Sequence, residues 1–250
     1  MDQKSKVDQP DVWNNTWKNV KNIVINYANR EIFNEILKYV NFANKEVIEP
    51  GCGTGRLSYL AYKQGAKKVI LVDFSDKALD LAKKLFKGIH SIEFWKKNIL
   101  EIEEKEVADI AFSSGVVEHF KGKNMLKAAV QAHKDSVRNG GKVIIVVPYS
   151  TKGNIKRSKS LKNIKRYGFQ RPLSEKEMLE LFSEVGLEVV VMKRFQFSYS
   201  FAWLATILNI LNNRFRIYSP LTFLDKWGGL LLAIGQKESS KVDDKLPANR

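Results

Sequence analysis

The fold of this chain is decided by Val47-Ile48-Glu49-Pro50-Gly51-Cys52-Gly53-Thr54-Gly55. Two apolar residues, an acid, a proline and three alternating glycines are typical of a buried strand that ends in a tight turn. Glycine is needed there because a side chain would block positive φ angles or keep the backbone from touching a ligand. The stretch therefore predicts a strand, a ligand-contacting turn and a helix that begins at about Thr54.

The glycine spacing limits the kind of ligand. The dinucleotide fingerprint G-x-G-x-x-G would place its third glycine at position 56. This chain has Arg56 there, and the glycine comes one residue early, at Gly55. The turn also lacks the lysine of a P-loop. Because a plain tight turn can contain the same residues, the downstream sequence has to settle the function.

Outward from the turn, apolar strands alternate with amphipathic helices. Strands are predicted at 46–50, 68–73, 91–95, 108–113, 142–147, 187–192 and 230–234. Helices are predicted at 54–64, 76–87 (N-cap Ser75), 122–138 and from the capping box at Ser174 to about Gly186, with one or two more between 16 and 40. This alternation predicts an α/β fold, a Rossmann-like, doubly wound, seven-stranded and mostly parallel sheet with helices on both faces.

Length and composition fit one domain with additions, since the chain has 250 residues, 44% of them hydrophobic. We expect an N-terminal helical lid region at 1–45, a main domain at 46–237 and a polar tail at 238–250. Residues 1–11 are polar and expected to be loose. The single cysteine, Cys52, excludes an internal disulfide, and no signal peptide or membrane-spanning run is apparent. We therefore expect a soluble, cytoplasmic protein.

The formal net charge of +15 suggests an anionic partner, although lysines are spread along the whole chain. Two segments stand out. A predicted basic loop at 151–172 could bind phosphate or carboxylate, or simply be solvated. An apolar insertion at 195–228 could close over an apolar acceptor, dock on lipid, or pack as an ordinary long loop. Trp13 and Trp17, near the N-terminus, either anchor the first helix or cover a ligand.

Polar residues at the ends of neighbouring strands point to a specific ligand. Asp73 ends the second strand, where a carboxylate can bind both hydroxyls of a ribose, and Phe74 can pack on an adenine. Asn98 can bond the base, with Ile99 covering it. Glu49 favours a positively charged ligand group. A nucleoside with a cationic appendage satisfies all of these, which describes S-adenosylmethionine.

Three segments resemble the motifs of class I S-adenosylmethionine-dependent methyltransferases, in the order found in that family. They are Val47–Gly55, Val72-Asp73-Phe74-Ser75 and Ser114-Gly115-Val116-Val117-Glu118-His119-Phe120. The resemblance covers about residues 46–148 and is closest to the small-molecule and lipid branch. It implies a seven-stranded sheet whose last strand is antiparallel.

Position by position, the resemblance implies the following cofactor contacts. Gly51, Gly53 and Gly55 approach the methionine part, Glu49 helps to hold it, and Ser114 belongs to the motif after the fourth strand. Asp73 holds the ribose, and Phe74 and Ile99 lie near the adenine. Asn98 stands where many relatives have an aspartate, so its contact with the adenine is weakened or reversed. The product is S-adenosylhomocysteine.

Methyl transfer depends mainly on alignment and exclusion of water, so a base is needed only when the nucleophile carries a proton. His119 is the candidate base, since imidazole titrates near neutrality. The alternative is a structural histidine bonded to backbone. Glu118 is likewise explained by its helix N-terminus alone.

Motifs that are absent from the sequence limit the possible classes of methyl acceptor. The chain has no Asn/Asp-Pro-Pro-aromatic sequence, no second cysteine and no ligand cluster, so no metal is expected. We expect methylation at oxygen or nitrogen of a small-molecule or lipid-like acceptor, possibly anionic, with peripheral membrane contact as a possibility. The alternatives are an RNA or DNA methyltransferase, and a non-catalytic S-adenosylmethionine-binding module.

Overall fold

The computed structural model describes residues 10–18, 20, 23–196, 207, 210, 211, 226 and 228–239. The helices are α1 Pro10–Lys18, α2 Tyr27–Leu37, α3 Arg56–Lys63, α4 Asp76–Leu85, α5 Lys123–Ser136, α6 Lys152–Ser158, α7 Leu161–Tyr167 and α8 Glu175–Val185. The strands are β1 Glu46–Pro50, β2 Lys68–Asp73, β3 Ile92–Lys96, β4 Ala108–Ser114, β5 Val137–Pro148, β6 Leu187–Phe195 and β7 Leu230–Lys237. Short 3-10 helices lie at Ile99–Glu101 and Val117–His119.

The seven strands form one sheet in the order β3-β2-β1-β4-β5-β7-β6. Strands β1 to β5 pair in parallel, whereas β7 is antiparallel to both β5 and β6. The predicted fold class and the antiparallel last strand are confirmed. Because the order reverses between β1 and β4, a crevice opens at the carboxyl ends of these strands.

Successive residues of the central strands enter two separate cores. Val47 and Val69 belong to a core that includes residues of α2, α3 and α4, whereas Ile48 and Ile70 belong to a core that includes residues of α5 and α8. This alternation is the period-two pattern of a strand. It places helices on both faces and leaves the strand ends free for a site.

Local capping signals set several helix ends. The Ser75 side chain accepts from the Ala78 backbone and starts α4, as predicted. A capping box of Ser174 and Glu177 starts α8, and Gly186 ends it in the left-handed conformation.

Two predicted boundaries next to the glycines were wrong. Helix α3 begins at Arg56 rather than Thr54, because its N-cap Gly55 has a φ of 71°. Helix α5 ends at Ser136 rather than 138, because Val137 already pairs with Ala108 in the sheet. Strand β5 begins at Val137 rather than 142, so residues 139–141 lie inside it, where the register shifts.

The predicted basic loop at 151–172 contains the two helices α6 and α7. Thr151 and Ser160 act as their N-caps, with side chains that accept from the backbone three residues later. These capping signals are present in the sequence, but the helices are only seven residues each, too short for a clear apolar period.

At the N-terminus, α1 begins at Pro10, within the segment 1–11 that was expected to be loose. Strand β6 runs to Phe195, beyond the predicted end at 192. Most of the predicted apolar insertion 195–228 and of the tail 238–250 lies outside the described residues. Among the described residues, none of the helices is long and apolar enough to cross a membrane.

Candidate active site

A cavity of about 280 Å³ lies at the carboxyl ends of β1, β2 and β4. Its walls come from the glycine turn, the ends of β2 and β4, the 3-10 helices, and helices α1 and α2. The predicted site residues that line it are Glu49, Gly51, Gly53, Asp73, Phe74, Asn98, Ile99, Ser114 and His119. The topology therefore brings together residues that are up to 70 positions apart in the chain.

Gly55, also predicted to approach the cofactor, lies behind the turn instead. A Cβ built there would lie 2.6 Å from Leu71 Cδ2 and 2.9 Å from Phe86 Cε2. Gly51 is restricted in the same way by Val116 Cγ2, at 2.6 Å. Both have φ angles of 71°, so conformation and packing each require glycine. We assign Gly55 to the packing of the turn rather than to the cavity wall.

The Asp73 carboxylate fixes the turn. Its Oδ2 accepts from the Gly53 backbone N–H at 2.8 Å, and its Oδ1 accepts from the Ser75 N–H at 2.8 Å. Burial raises the pKa of Asp73 to about 6, while these hydrogen bonds oppose the rise. Asp73 is therefore mainly ionised at neutral pH and holds the ends of β1 and β2 together.

Glu49 is a second buried acid beside the turn. Its Oε2 accepts from both the backbone N–H and the hydroxyl of Ser58. Burial raises the pKa of Glu49 to about 8, with the charge of Asp73 adding to the rise. A cation bound in the cavity would favour the ionised form of this carboxyl.

The base side of the cavity is built by Phe74, Asn98 and Ile99. The Asn98 side-chain oxygen accepts from the Leu100 N–H at 3.0 Å and caps the first 3-10 helix. Its amide nitrogen thus remains the group with which it can donate to a ligand. Ser114, half-buried at the end of β4, completes the opposite wall.

His119 has one ring nitrogen bonded and one free. Its Nδ1 lies 2.7 Å from the Phe169 carbonyl oxygen, which fixes Nδ1 as the protonated nitrogen. Its Nε2 is buried without a hydrogen-bond partner and lies 4.0 Å from Glu118 Oε1. Burial lowers the pKa of His119 to about 4 and raises that of Glu118 to about 8. At neutral pH the imidazole is therefore neutral, with its lone pair on the buried Nε2.

Helix α1 forms part of the cavity wall and lies between the start of α4 and the end of α7. On one side, Ser75 Oγ donates to Asn14 Oδ1 at 2.6 Å; on the other, Thr16 Oγ1 lies 2.6 Å from the Arg166 carbonyl oxygen. The Trp13 ring lies 5.1 Å from the His119 ring. The Trp17 ring lies 3.1 Å from the position of a Cβ on Gly53.

Several cavity residues were not predicted as site residues. They include Asn29, Arg56, Lys97, Val116, Phe120, Lys121 and Phe169. In the sequence, Arg56 serves only to exclude a dinucleotide as the ligand. Burial lowers the pKa of Arg56, and its Nε has no hydrogen-bond partner. Phe169 lies 50 positions from His119, and no local sequence pattern predicts their contact. Among the described residues, no group of three or more His, Cys, Asp or Glu is suited to a metal.

A family profile described as "Methyltransferase domain" matches residues 41–184 of the chain. This range is more than half of the sequence and contains the glycine turn, Asp73, Asn98 and His119. The chain belongs to this methyltransferase family, so the predicted family, the enzyme class and the cofactor S-adenosylmethionine are confirmed.

Curated relatives match over short stretches. The ribosomal protein L11 methyltransferase of Shewanella woodyi is 49% identical over 49 residues, which are 20% of this chain and 17% of that protein. The tRNA U34 carboxymethyltransferase of Shewanella piezotolerans is 27% identical over 106 residues, 41% of this chain and 31% of that protein. The matches thus span less than a third of these relatives.

The fold is shared over most of the chain with a solved structure. The N-methyltransferase NodS from Bradyrhizobium japonicum, in complex with S-adenosylhomocysteine, has a TM-score of 0.62 and 15% identity. The alignment covers 91% of this chain and 98% of NodS. At this identity the similarity establishes the fold alone. The methyl acceptor has to be inferred from the residues of this chain.

The raised pKa of Glu118 predicts that the free energy of unfolding depends on pH. The native carboxyl keeps its proton up to about pH 8, whereas the unfolded one loses it near 4.5. Between these values the native state binds the additional proton, so the free energy of unfolding falls as pH rises, by up to about 1.4 kcal/mol per pH unit. Glu118→Gln cannot titrate and should therefore gain stability relative to wild type from pH 5 to 8.

Urea unfolding without cofactor measures this difference. Glu103→Gln, at an exposed glutamate, is the matched control and should follow the wild-type pH dependence. Parallel curves for wild type and Glu118→Gln would show that Glu118 is not protonated in the native state.

Proposed function

We propose that this enzyme transfers the methyl group of S-adenosylmethionine to an oxygen or nitrogen atom of a small-molecule or lipid-like acceptor. When bound, the cofactor supplies an electrophilic methyl group on a sulfonium. The observation that supports the proposal is the shared cavity of Asp73 and His119. A carboxylate suited to a ribose and an imidazole thus line one cavity.

The residues of the cavity fit S-adenosylmethionine. Each Asp73 oxygen accepts one backbone hydrogen bond and retains a lone pair for a ribose hydroxyl. Phe74 and Ile99 offer apolar surfaces to an adenine, and the Asn98 amide nitrogen can donate to a ring nitrogen. In this assignment Asn98 donates a hydrogen bond to the adenine, whereas the aspartate of many relatives would accept one. This is the reversed contact expected from the sequence.

The methionine part would lie along Gly51 and Gly53, near Glu49. Ionised Glu49 would balance the positive charge of this part, whereas burial, with the charge of Asp73, raises the pKa of Glu49 to about 8. Binding would therefore favour release of a proton from Glu49. Ser114, on the opposite wall, is assigned to the same ligand.

His119 is proposed as the base that accepts a proton from the nucleophile. The bond to the Phe169 carbonyl fixes its tautomer and orients the ring. The lowered pKa keeps it neutral, and thus able to accept, across the neutral range. Glu118 Oε1 lies 4.0 Å from Nε2, but burial keeps this carboxyl protonated at neutral pH, so we assign it no charge-stabilising role.

The acceptor side of the cavity is mainly aromatic and apolar. Trp13, Val116, Phe120 and Phe169 line it, with Lys121 beside them. The Lys121 ammonium lies 5.4 Å from the Phe169 ring centre and can neutralise an anionic group of an acceptor. We propose α1, within the region 1–45, as the lid that excludes water from this space.

A nucleic-acid acceptor is the second candidate, favoured by the net charge of +15 and by the tRNA-modifying relative. Methyl-labelled S-adenosylmethionine offered to lipid-like alcohols and amines, and separately to tRNA, tests both. Transfer to tRNA alone, with binding that weakens steeply as salt rises, would replace our proposal. Tight cofactor binding with no transfer in any arm would identify a non-catalytic module.

Asp73→Asn should weaken S-adenosylmethionine binding by about 10- to 100-fold, because hydrogen bonds to a charged group contribute about 1.5 to 3 kcal/mol. Isothermal titration calorimetry measures the change. The matched control is Asp76→Asn, which removes an exposed carboxylate paired with Lys96 and should leave the affinity unchanged. Wild-type affinity in Asp73→Asn would reject the cofactor assignment.

His119→Ala should lower turnover by about 100- to 10,000-fold, the usual contribution of a general base, without weakening cofactor binding. His90→Ala, at an exposed histidine, is the control. Turnover is measured with labelled cofactor and with whichever acceptor is methylated in the assay described above. Unchanged turnover in His119→Ala would remove this residue from the mechanism.

A further inference from the structure

Helices α6 and α7 form a strongly basic surface beside the cavity. The segment 151–171 contains eight basic and no acidic residues. The lysines at 152, 156, 159, 162 and 165 are all exposed. Among the described residues, none of these five lysines forms an ion pair, whereas Arg171, at the end of the segment, pairs with Glu177. The positive charge of these helices therefore faces solvent.

The same surface exposes large apolar side chains. Leu161 is 76% exposed, Ile164 is 42% exposed and Ile155 is 38% exposed. Leu161 and Ile164 are three residues apart and thus share one face of α7, a helix without any buried residue. A helix that contributes nothing to the core but presents apolar residues among lysines has the composition of an interfacial membrane helix.

We propose that α6 and α7 dock this enzyme on an anionic lipid surface. Lysine ammonium groups would contact the lipid phosphates while Leu161, Ile164 and Ile155 enter the boundary between headgroups and acyl chains. Nucleic acid fits the charge, but the large apolar residues exposed on α6 and α7 are aliphatic and offer no ring on which a base could stack. Aliphatic side chains that project from the charged surface are instead suited to lipid.

This surface is continuous with the cavity. Tyr167, the last residue of α7, lies with its ring 6.3 Å from that of Trp13 in the proposed lid. Two residues later, Phe169 lines the cavity and its carbonyl oxygen holds His119. Docking would thus place the cavity mouth at the lipid surface. Delivery of a lipid-like acceptor rests on the proposed function, whereas docking itself does not.

Co-sedimentation of the full chain with vesicles tests the proposal. Vesicles of phosphatidylcholine alone are compared with vesicles containing about 30% phosphatidylglycerol, and we expect binding only to the latter. The variant K156Q/K162Q/K165Q should lower the partition coefficient by about a hundredfold, since each lysine near an anionic surface contributes about fivefold. The matched variant K77Q/K84Q/K87Q removes three exposed lysines of α4 and the turn after it and should bind as wild type.

A second variant, L161S/I164S, keeps all the charge and isolates the apolar contribution. It should bind anionic vesicles more weakly than wild type, with the larger loss at high salt, where the electrostatic part is screened. Cofactor affinity should stay at the wild-type value in every variant, which separates a failure of docking from a failure of the proposed function. The proposal is overturned by equal partition of wild type and K156Q/K162Q/K165Q, by full binding of L161S/I164S, or by binding to tRNA without binding to vesicles.

Discussion

The Asp73 carboxylate is the contact on which the rest of the site depends. Its two oxygens join the backbone of Gly53, after β1, to that of Ser75, at the start of α4. Ser75 in turn donates to Asn14 of α1. One buried acid thus positions the glycine turn, the end of β2 and the helix that forms part of the cavity wall, and it remains ionised at neutral pH despite its burial.

Much of this arrangement could be predicted from the sequence, because it depends on local signals repeated in order along the chain. The glycine turn and Asp73 each end an apolar strand, and parallel topology necessarily brings such strand ends to one edge. The alternation of strands and helices was sufficient for the fold class. Arginine instead of glycine at position 56 was sufficient to exclude a dinucleotide as the ligand.

The rest depends on contacts between distant residues or on weak local signals. Gly55 has the same spacing as a ligand-contacting glycine, yet Leu71 and Phe86 occupy the space beside it. The hydrogen bond of His119 to Phe169, and the position of α1 in the cavity wall, join segments that no periodic pattern relates. Helices α6 and α7 have almost no buried apolar positions, so their sequences predict a solvated loop.

The carboxyl ends of β1 and β2 are proposed to hold the methyl donor with its methyl group toward His119. A crystal structure with S-adenosylhomocysteine tests it most directly. We expect both Asp73 oxygens within hydrogen-bond distance of the ribose hydroxyls, about 2.5 to 3.0 Å, and the sulfur on the side of the cavity where His119 lies. A ribose away from Asp73, or a sulfur directed away from His119, would contradict the account.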